Sequence, residues 1–172
     1  YVAIGLPVML ISMFVLIAAA LPAESLAVPK IIESQRELWN VIRQPLGLPL
    51  FLLIGLSLSF RGPFNYADSA DLADGTASEI SGAARLVWEF ARLAMLVATA
   101  AMAATVFLGG YLGPVLPGPL WLLLKTAAVL VLLVALSHLF ARISPSRMLT
   151  LIWIVLMPLA FIDLVWAGLV AL

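Results

Sequence analysis

Five apolar stretches, each near the length of a helix that crosses a membrane, constrain this chain more than any other feature. A membrane span needs about 20 mostly apolar residues, because lipid offers no water to the backbone and a helix pairs its amides internally. The chain is 65% hydrophobic, whereas about 45 to 50% is typical of soluble domains. The sequence therefore predicts an all-α fold, a polytopic transmembrane helix bundle in which residues 1–172 form a single membrane domain. The five stretches cover roughly residues 2–21, 44–60, 86–108, 119–141 and 148–171.

The segment between the first two stretches, VPKIIESQRELWNVIRQP, has the pattern of an amphipathic helix. Pro29 suits the first turn of a helix, where its missing backbone N–H has no partner to lose. The two faces of the predicted helix carry Ile31, Ile32, Leu38, Trp39 and Ile42 on one side and Glu33, Arg36, Glu37 and Asn40 on the other. We expect one short helix in the membrane interface, or equally one packed on partner protein. Both interpretations place it outside the hydrocarbon.

Residues 61–85 form an acidic connection that holds four of the nine acidic residues of the chain. Neighbouring carboxylates favour proton uptake by one another, which is a physical requirement for a proton relay. The alternative is a solvated acidic loop with a turn at Asp74 and Gly75. Four basic residues on this side, Arg61, Arg85, Arg142 and Arg147, face three on the other, Lys30, Arg36 and Arg43. This small excess predicts that the acidic loop is cytoplasmic.

Four charged residues fall within the predicted spans. A charge inside a span is expensive unless it is paired, and the i to i+3 spacing of Glu89 and Arg92 puts both on one face of a helix. We therefore predict a Glu89–Arg92 pair, either a structural pair near the membrane boundary or a relocated proton site. Lys125 is expected to extend its stem toward the interface in a structural role. Asp163 is expected to meet a partner subunit or to stay protonated in lipid.

The residue types that are scarce in this chain limit the chemistry that it can carry. It has no Cys, which excludes disulfides, thiolate metal sites and cysteine-held iron–sulfur clusters within this chain. His138 is the one histidine and has no second ligand nearby, so no metal site is predicted. The net charge is zero, so nothing points to nucleic acid. Small residues over positions 98–110 predict close packing of neighbouring helices.

Four motifs resemble one known family, the quinone-site membrane subunit, or H subunit, of respiratory complex I (NADH:quinone oxidoreductase). They are IIESQRELWNVIRQPLG, RGPFNYADSAD, EISG and FLGGYLGPVLPGPLWLLLKT, in this order along the chain. The resemblance implies the C-terminal five-helix portion of a larger eight-helix subunit. The three N-terminal helices would then be missing or on another chain. It also implies a non-catalytic subunit whose catalytic centres lie on partners.

The resemblance assigns roles to residues at the acidic end of the bundle. It implies a quinone chamber with Arg61, Pro63, Phe64 and Asp68 and a proton path with Asp68, Asp71, Glu79, Glu89 and Arg92. The acidic loop would face the peripheral redox arm. Quinone would bind at the interface with partner subunits, with no group bound covalently or through a metal in this chain. The implied partners are other membrane and peripheral-arm subunits, the chain with the missing helices, quinone and membrane lipid.

The chain also departs from the family at several expected acids. The family usually has a carboxylate where this chain has Val2, Leu58, Asn65 and Arg92, and a proline where it has Ala67. These departures leave two alternatives open: the corresponding subunit of a membrane-bound hydrogenase or a divergent paralogue, and a non-redox membrane transporter or scaffold. The Ala- and Leu-rich composition favours a bacterial inner (plasma) membrane over a mitochondrial one.

Overall fold

The structure, a computed structural model, describes residues 2–64, 80–114, 116–141 and 143–171, and all the regular structure in these ranges is helical. The first part of the chain forms α1 (Val2–Ala20), a 3-10 turn (Leu21–Ala23), α2 (Val28–Glu33), α3 (Asn40–Arg43) and α4 (Gly47–Leu58). The second part forms α5 (Gly82–Phe107), α6 (Gly118–Leu139), α7 (Pro145–Leu151), a π-helical turn (Ile152–Leu156) and α8 (Met157–Ala171). The predicted helical membrane bundle is confirmed.

Four helices of the described chain are long and apolar enough to cross a membrane, over Gly5–Ala23, Gly82–Phe107, Gly118–Leu139 and Ser146–Val170. The fifth apolar helix, α4, has 12 residues, about 18 Å at 1.5 Å per residue, against a hydrocarbon core of about 30 Å. The second predicted span is therefore shorter as a helix than the sequence indicated. Since most of its side chains are buried between other helices, α4 does not have to match the thickness of the lipid.

Proline and a left-handed residue set the limits of α4. Gln44 precedes Pro45 and has φ −132° and ψ 73°, because the ring of a proline disfavours the helical conformation in the residue before it. At the other end Phe60 has φ +50°, a left-handed conformation that stops a helix. The apolar run 44–60 thus gives only a short helix between two breaks in the backbone.

The last span is one helical rod with a widened turn in its middle. Met157 donates its backbone N–H to the carbonyl of Ile152, five residues back, at the end of the π turn. Pro158 follows directly, and it has no backbone N–H for the carbonyl of Ile154, with which its ring would also clash. A π turn relieves this clash by taking one extra residue into the turn.

The segment predicted as one interfacial helix forms two short helices, α2 and α3, joined by a turn over residues 34–39. The predicted faces are also partly wrong, because Asn40, assigned to the polar face, is 1% exposed. Gln35 in the turn is fully buried as well. Buried amide side chains interrupt the helix because they bond to neighbouring helices rather than to water.

Close packing by small residues is confirmed where α4 crosses α5. Ala100, Ala103 and Ala104 of α5 are fully buried. A Cβ atom added to Gly55 of α4 would lie 2.1 Å from Cγ2 of Thr99, closer than two atoms can approach. Only glycine fits this crossing, since the two backbones pass with no room for another side chain.

Candidate functional site

The alternation of the helices puts their connections at two ends of the bundle. One end, here called the loop end, holds residues 59–64, which follow α4, and residues 140–144, which follow α6. The other, here called the far end, holds residues 21–46, which follow α1, and residues 108–114, which follow α5. The site residues implied by the resemblance belong to the loop end, and the best-satisfied polar groups belong to the far end.

A tight turn at the loop end carries three of the residues assigned to the quinone chamber. The backbone N–H of Arg61 donates to the carbonyl of Leu56 (3.0 Å), and that of Phe64 donates to the carbonyl of Arg61 (2.9 Å). The backbone N–H of Ile143 donates to the carbonyl of Pro63 (3.0 Å). The turn is therefore tied both to the end of α4 and to the linker that enters the last span.

Gly62 fits this turn against the end of α6. A Cβ atom at Gly62 would lie 2.6 Å from the backbone carbonyl oxygen of Ser137. We expect Gly62→Ala to lower the stability of the bundle by about 1–3 kcal/mol, because this atom belongs to a helix backbone and can move only with the helix. Thermal unfolding of the purified assembly measures the loss. Gly5→Ala is the control, since nothing lies within 4 Å of a Cβ there, and equal losses in the two variants would contradict the prediction.

An apolar cavity of about 400 Å³ lies beside the turn. Pro63 and Phe64 form part of its wall, and α4, the linker after α6 and the widened turn of the last span form the rest. Every lining side chain is apolar: Leu46, Pro49, Leu50, Leu53, Pro63, Phe64, Phe140, Ile143, Leu151, Val155, Leu156 and Leu159. Such a cavity accepts a hydrocarbon or isoprenoid chain and gives a polar headgroup no hydrogen-bond partner.

Arg92 joins α5 to the last turn of α4. Its side chain is 9% exposed, and the guanidinium donates from Nη2 to the carbonyl of Phe60 (2.8 Å) and from Nε to the carbonyl of Ser59 (3.3 Å). The last carbonyls of a helix lack partners within the helix and carry its negative dipole end. A buried guanidinium at this position therefore satisfies and neutralises the end of α4.

The predicted Glu89–Arg92 pair is confirmed as a contact. Nη1 of Arg92 lies 3.4 Å from Oε1 of Glu89, and Nη2 of Arg85 lies 3.3 Å from the same oxygen. The Glu89 side chain is 39% exposed, so water screens it and the pair adds little stability. The backbone carbonyls at the end of α4, which the spacing did not indicate, are closer partners for Arg92 than Glu89 is.

Three predicted site residues, Asp68, Asp71 and Glu79, lie outside the described residues. Their roles stay predictions. Among the residues that are described, Arg61 has its Nε buried with no hydrogen-bond partner. The loop end therefore has one guanidinium nitrogen that is unsatisfied within the described part of the chain.

At the far end, two amide side chains bond to the ends of two spans. Nδ2 of Asn40 donates to the carbonyls of Ala19 (3.1 Å) and Val106 (2.9 Å). Nε2 of Gln35 donates to the carbonyl of Thr105 (3.2 Å). These carbonyls lie in the last turns of α1 and α5, where helices leave acceptors unpaired. This role was not predicted from the sequence, because a polar residue in an amphipathic pattern is expected to face water.

Gln35 also fixes the glycine pair that ends α5. Its Oε1 accepts the backbone N–H of Gly109 (2.9 Å). Gly109 and Gly110 have φ of +72° and +50°, a conformation that glycine adopts without steric cost and that commonly closes a helix. The motif FLGG is thus a helix end clamped by a glutamine 74 residues away.

Asp163 lies inside the protein, which corrects the expectation that it faces a partner subunit or lipid. It is 1% exposed. Its Oδ2 accepts a hydrogen bond from Nε2 of Gln44, and the same nitrogen donates to the carbonyl of Val15 (3.2 Å). A third amide of the 28–46 segment therefore holds the one carboxyl of α8.

Lys125 extends toward the far end, as predicted, but its ammonium is covered by protein and not by water. The side chain is 6% exposed. Nζ donates to the carbonyls of Leu108 (2.5 Å) and Leu112 (2.7 Å) and lies 4.7 Å from the ring centroid of Trp39 and 5.6 Å from that of Trp121. Carbonyl dipoles and indole faces stabilise this buried cation, which supports the predicted structural role.

His138 lies near the end of α6. Across the described residues, no group of three or more histidine or carboxylate side chains is placed to hold a metal ion. The part of the chain that is described thus offers hydrogen-bond donors, an apolar cavity beside the turn and several buried ionisable groups.

The sequence matches proteins of known family over nearly its whole length. The family model described as NADH dehydrogenase matches residues 2–168. The first H subunit of the NADH-quinone oxidoreductase of Rhodopseudomonas palustris (strain HaA2) is 36% identical over 156 residues, which is 90% of this chain and 49% of that protein. The second H subunit of the same enzyme in Cereibacter sphaeroides (strain ATCC 17029 / ATH 2.4.9) is 38% identical over 128 residues, 74% of this chain and 40% of that protein.

A third relative gives the same coverage. The second H subunit of the NADH-quinone oxidoreductase of Rhizobium meliloti (strain 1021) is 30% identical over 160 residues, 91% of this chain and 49% of that protein. The chain spans about half the length of the curated relatives that it matches.

Proposed function

Since this chain belongs to the NADH dehydrogenase family, we propose that it is a membrane subunit of a complex I-like NADH:quinone oxidoreductase. In that assembly it would form part of the quinone chamber and couple quinone reduction to proton translocation. The observation that carries the proposal is the match over residues 2–168 to a family whose relatives are named as H subunits of NADH-quinone oxidoreductase. The chemistry of electron transfer would belong to partner chains.

The loop end supports the quinone part of the proposal. Pro63 and Phe64 wall an apolar cavity of about 400 Å³, which suits the hydrocarbon part of a quinone and not its ring oxygens. Those oxygens need hydrogen-bond donors, and Arg61 next to the cavity wall has a buried Nε without a partner among the described residues. Arg61 would therefore orient a polar group at the mouth of an apolar site, together with Asp68.

The proton part of the proposal uses the acids of the same end. Glu89 is 39% exposed and lies between two guanidinium groups, so it can exchange a proton with water while its charge is balanced. Asp68, Asp71 and Glu79 of the acidic loop would begin the path. A change of charge at the reduced quinone would alter the proton affinity of these carboxylates by direct electrostatics. Arg92, which anchors α4 to α5, would transmit that change to the helix ends.

The same proposal includes the setting of the protein. The chain is an integral membrane protein by its four apolar spans and its family, and a bacterial plasma membrane is the proposed location because the relatives above are bacterial. The proposed partners are the peripheral-arm and membrane subunits of the assembly, the segment that carries the three further helices, and membrane lipid.

Purification of the assembly from native membranes in mild detergent tests the proposal. We expect mass spectrometry to find flavin-binding and iron–sulfur subunits with the chain, and we expect the preparation to reduce a soluble quinone with NADH. Copurification of a nickel–iron hydrogenase large subunit, or of no redox subunit, would overturn it. Arg61→Gln compared with Arg147→Gln, on the exposed start of the last span, then tests the site. We expect Arg61→Gln alone to raise the KM for quinone.

A further inference from the structure

The buried carboxyl of Asp163 and the amide of Gln44 are a polar pair that the proposed function does not use. Asp163 is 1% exposed and Gln44 is 2% exposed. Nε2 of Gln44 donates both to Oδ2 of Asp163 and to the carbonyl of Val15, and this second bond fixes which end of the amide faces the carboxyl. Oδ1 of Asp163 and Oε1 of Gln44 are both buried with no hydrogen-bond partner among the described residues.

No described positive charge balances this carboxyl. The elements packed against α8 are α1, α4, the 3-10 turn and the π turn, and none of them contains an ionisable side chain, although Glu24 follows the 3-10 turn. Gln44 comes from the segment that also carries Arg43, whose backbone carbonyl accepts the Nε1 proton of Trp166 (3.2 Å). In α7, Arg147 precedes Asp163 by 16 residues, about 24 Å along the rod.

The depth of the pair excludes water as the ready solution. Val15 precedes the end of α1 by five residues, about 7–8 Å inside the helix end. An ionised carboxylate at this depth would have one hydrogen-bond donor and no cation, and burial of such a charge is costly. The neutral acid removes the charge, and its O–H supplies a donor in a site that has two unsatisfied acceptor oxygens.

We propose that Asp163 and Gln44 form a proton-binding site near the far end of the bundle, in which Asp163 is held as the neutral acid at neutral pH. Proton binding converts the carboxylate and one proton from water into the acid, and no electron or other group is transferred. The site is separate from Glu89, which lies in the first third of α5, nearer the loop end. It also stands whether or not the quinone function holds, because it uses only groups within this chain.

Infrared difference spectroscopy on the intact assembly tests the proposal. We expect wild type minus Asp163→Asn to show the C=O band of a protonated carboxyl at neutral pH, and we expect that band to shift on exchange into D₂O. We also expect Gln44→Leu to move the band to higher frequency, because the acid then loses its donor. If Asp163→Asn does not assemble, wild type minus Gln44→Leu alone decides, through the same band.

Two results would overturn the proposal. One is a difference spectrum that contains only ionised carboxylate bands at neutral pH, without a protonated carboxyl in wild type. The other is a carboxylate band that changes when sodium replaces potassium in the buffer, since it would mean that the oxygens of the pair hold a metal cation and not a proton. Thr150→Ser, on the exposed part of the last span, is the control and should leave the spectrum unchanged.

Discussion

We expect Arg92→Gln to lower the stability of the bundle by about 2–4 kcal/mol, the largest loss of the polar substitutions considered for the described chain. The variant leaves the carbonyls of Ser59 and Phe60 without the donors that the guanidinium supplies at 3.3 and 2.8 Å. A buried acceptor that loses its partner costs about 1–3 kcal/mol. The end of α4 also loses the positive charge that balances its dipole. Thermal unfolding of the assembly in detergent measures the loss.

Two variants separate the role of the carbonyls from that of the ion pair. Glu89→Gln removes the carboxylate and leaves the guanidinium in place, and we expect a loss of less than about 1 kcal/mol because Glu89 is well exposed. Arg85→Gln, which removes the other cation at 3.3 Å from Glu89, should have an equally small effect. An Arg92→Gln protein with unchanged assembly and activity would exclude both the structural pair and a relocated proton site.

The second large effect is expected at the far end, where Asn40→Leu should destabilise the bundle by about 1–3 kcal/mol. Leucine leaves the carbonyls of Ala19 and Val106 without a donor. The loss is moderated because Oδ1 of Asn40 is itself buried without a partner among the described residues, so that one unsatisfied acceptor disappears with the substitution. The measurement is again thermal unfolding, together with the fraction of chain that remains in the assembly.

Glu37→Gln is the matched control for Asn40→Leu, because it lies in the same segment with an exposed side chain. We expect no measurable change. If leucine at position 40 were as stable as wild type, residues 28–46 would not hold the ends of α1 and α5. The segment would then be the amphipathic surface helix that the sequence pattern predicted.

Helix content and the contact between two charges could be predicted because both depend on local spacing. An apolar run of about 20 residues has few alternatives to a helix in lipid, and the four longest runs form helices close to the expected positions. Residues 89 and 92 are on one face of any helix that contains them. The length of α4 was less predictable, since the breaks at Gln44 and Phe60 depend on backbone conformations that hydropathy does not report.

The partners of buried polar groups could not be predicted in the same way. Asp163 and Gln44 are 119 residues apart in sequence, and no local pattern relates them. Asn40 has the spacing of a residue on a solvated face, yet its amide reaches two carbonyls 21 and 66 residues away. Such pairings depend on which helix ends meet, and this is a property of the packed bundle.

The sequence by itself determined that this chain is a helical membrane protein, and its motifs determined the family, because both depend on composition and order along the chain. Only the tertiary structure decided what the polar groups do. It assigned Arg92 to the end of α4, Asn40 and Gln35 to the ends of α1 and α5, and Asp163 to Gln44. The physical reason is that a buried donor or acceptor must find a partner within the protein, and distant segments supply those partners only when they pack together.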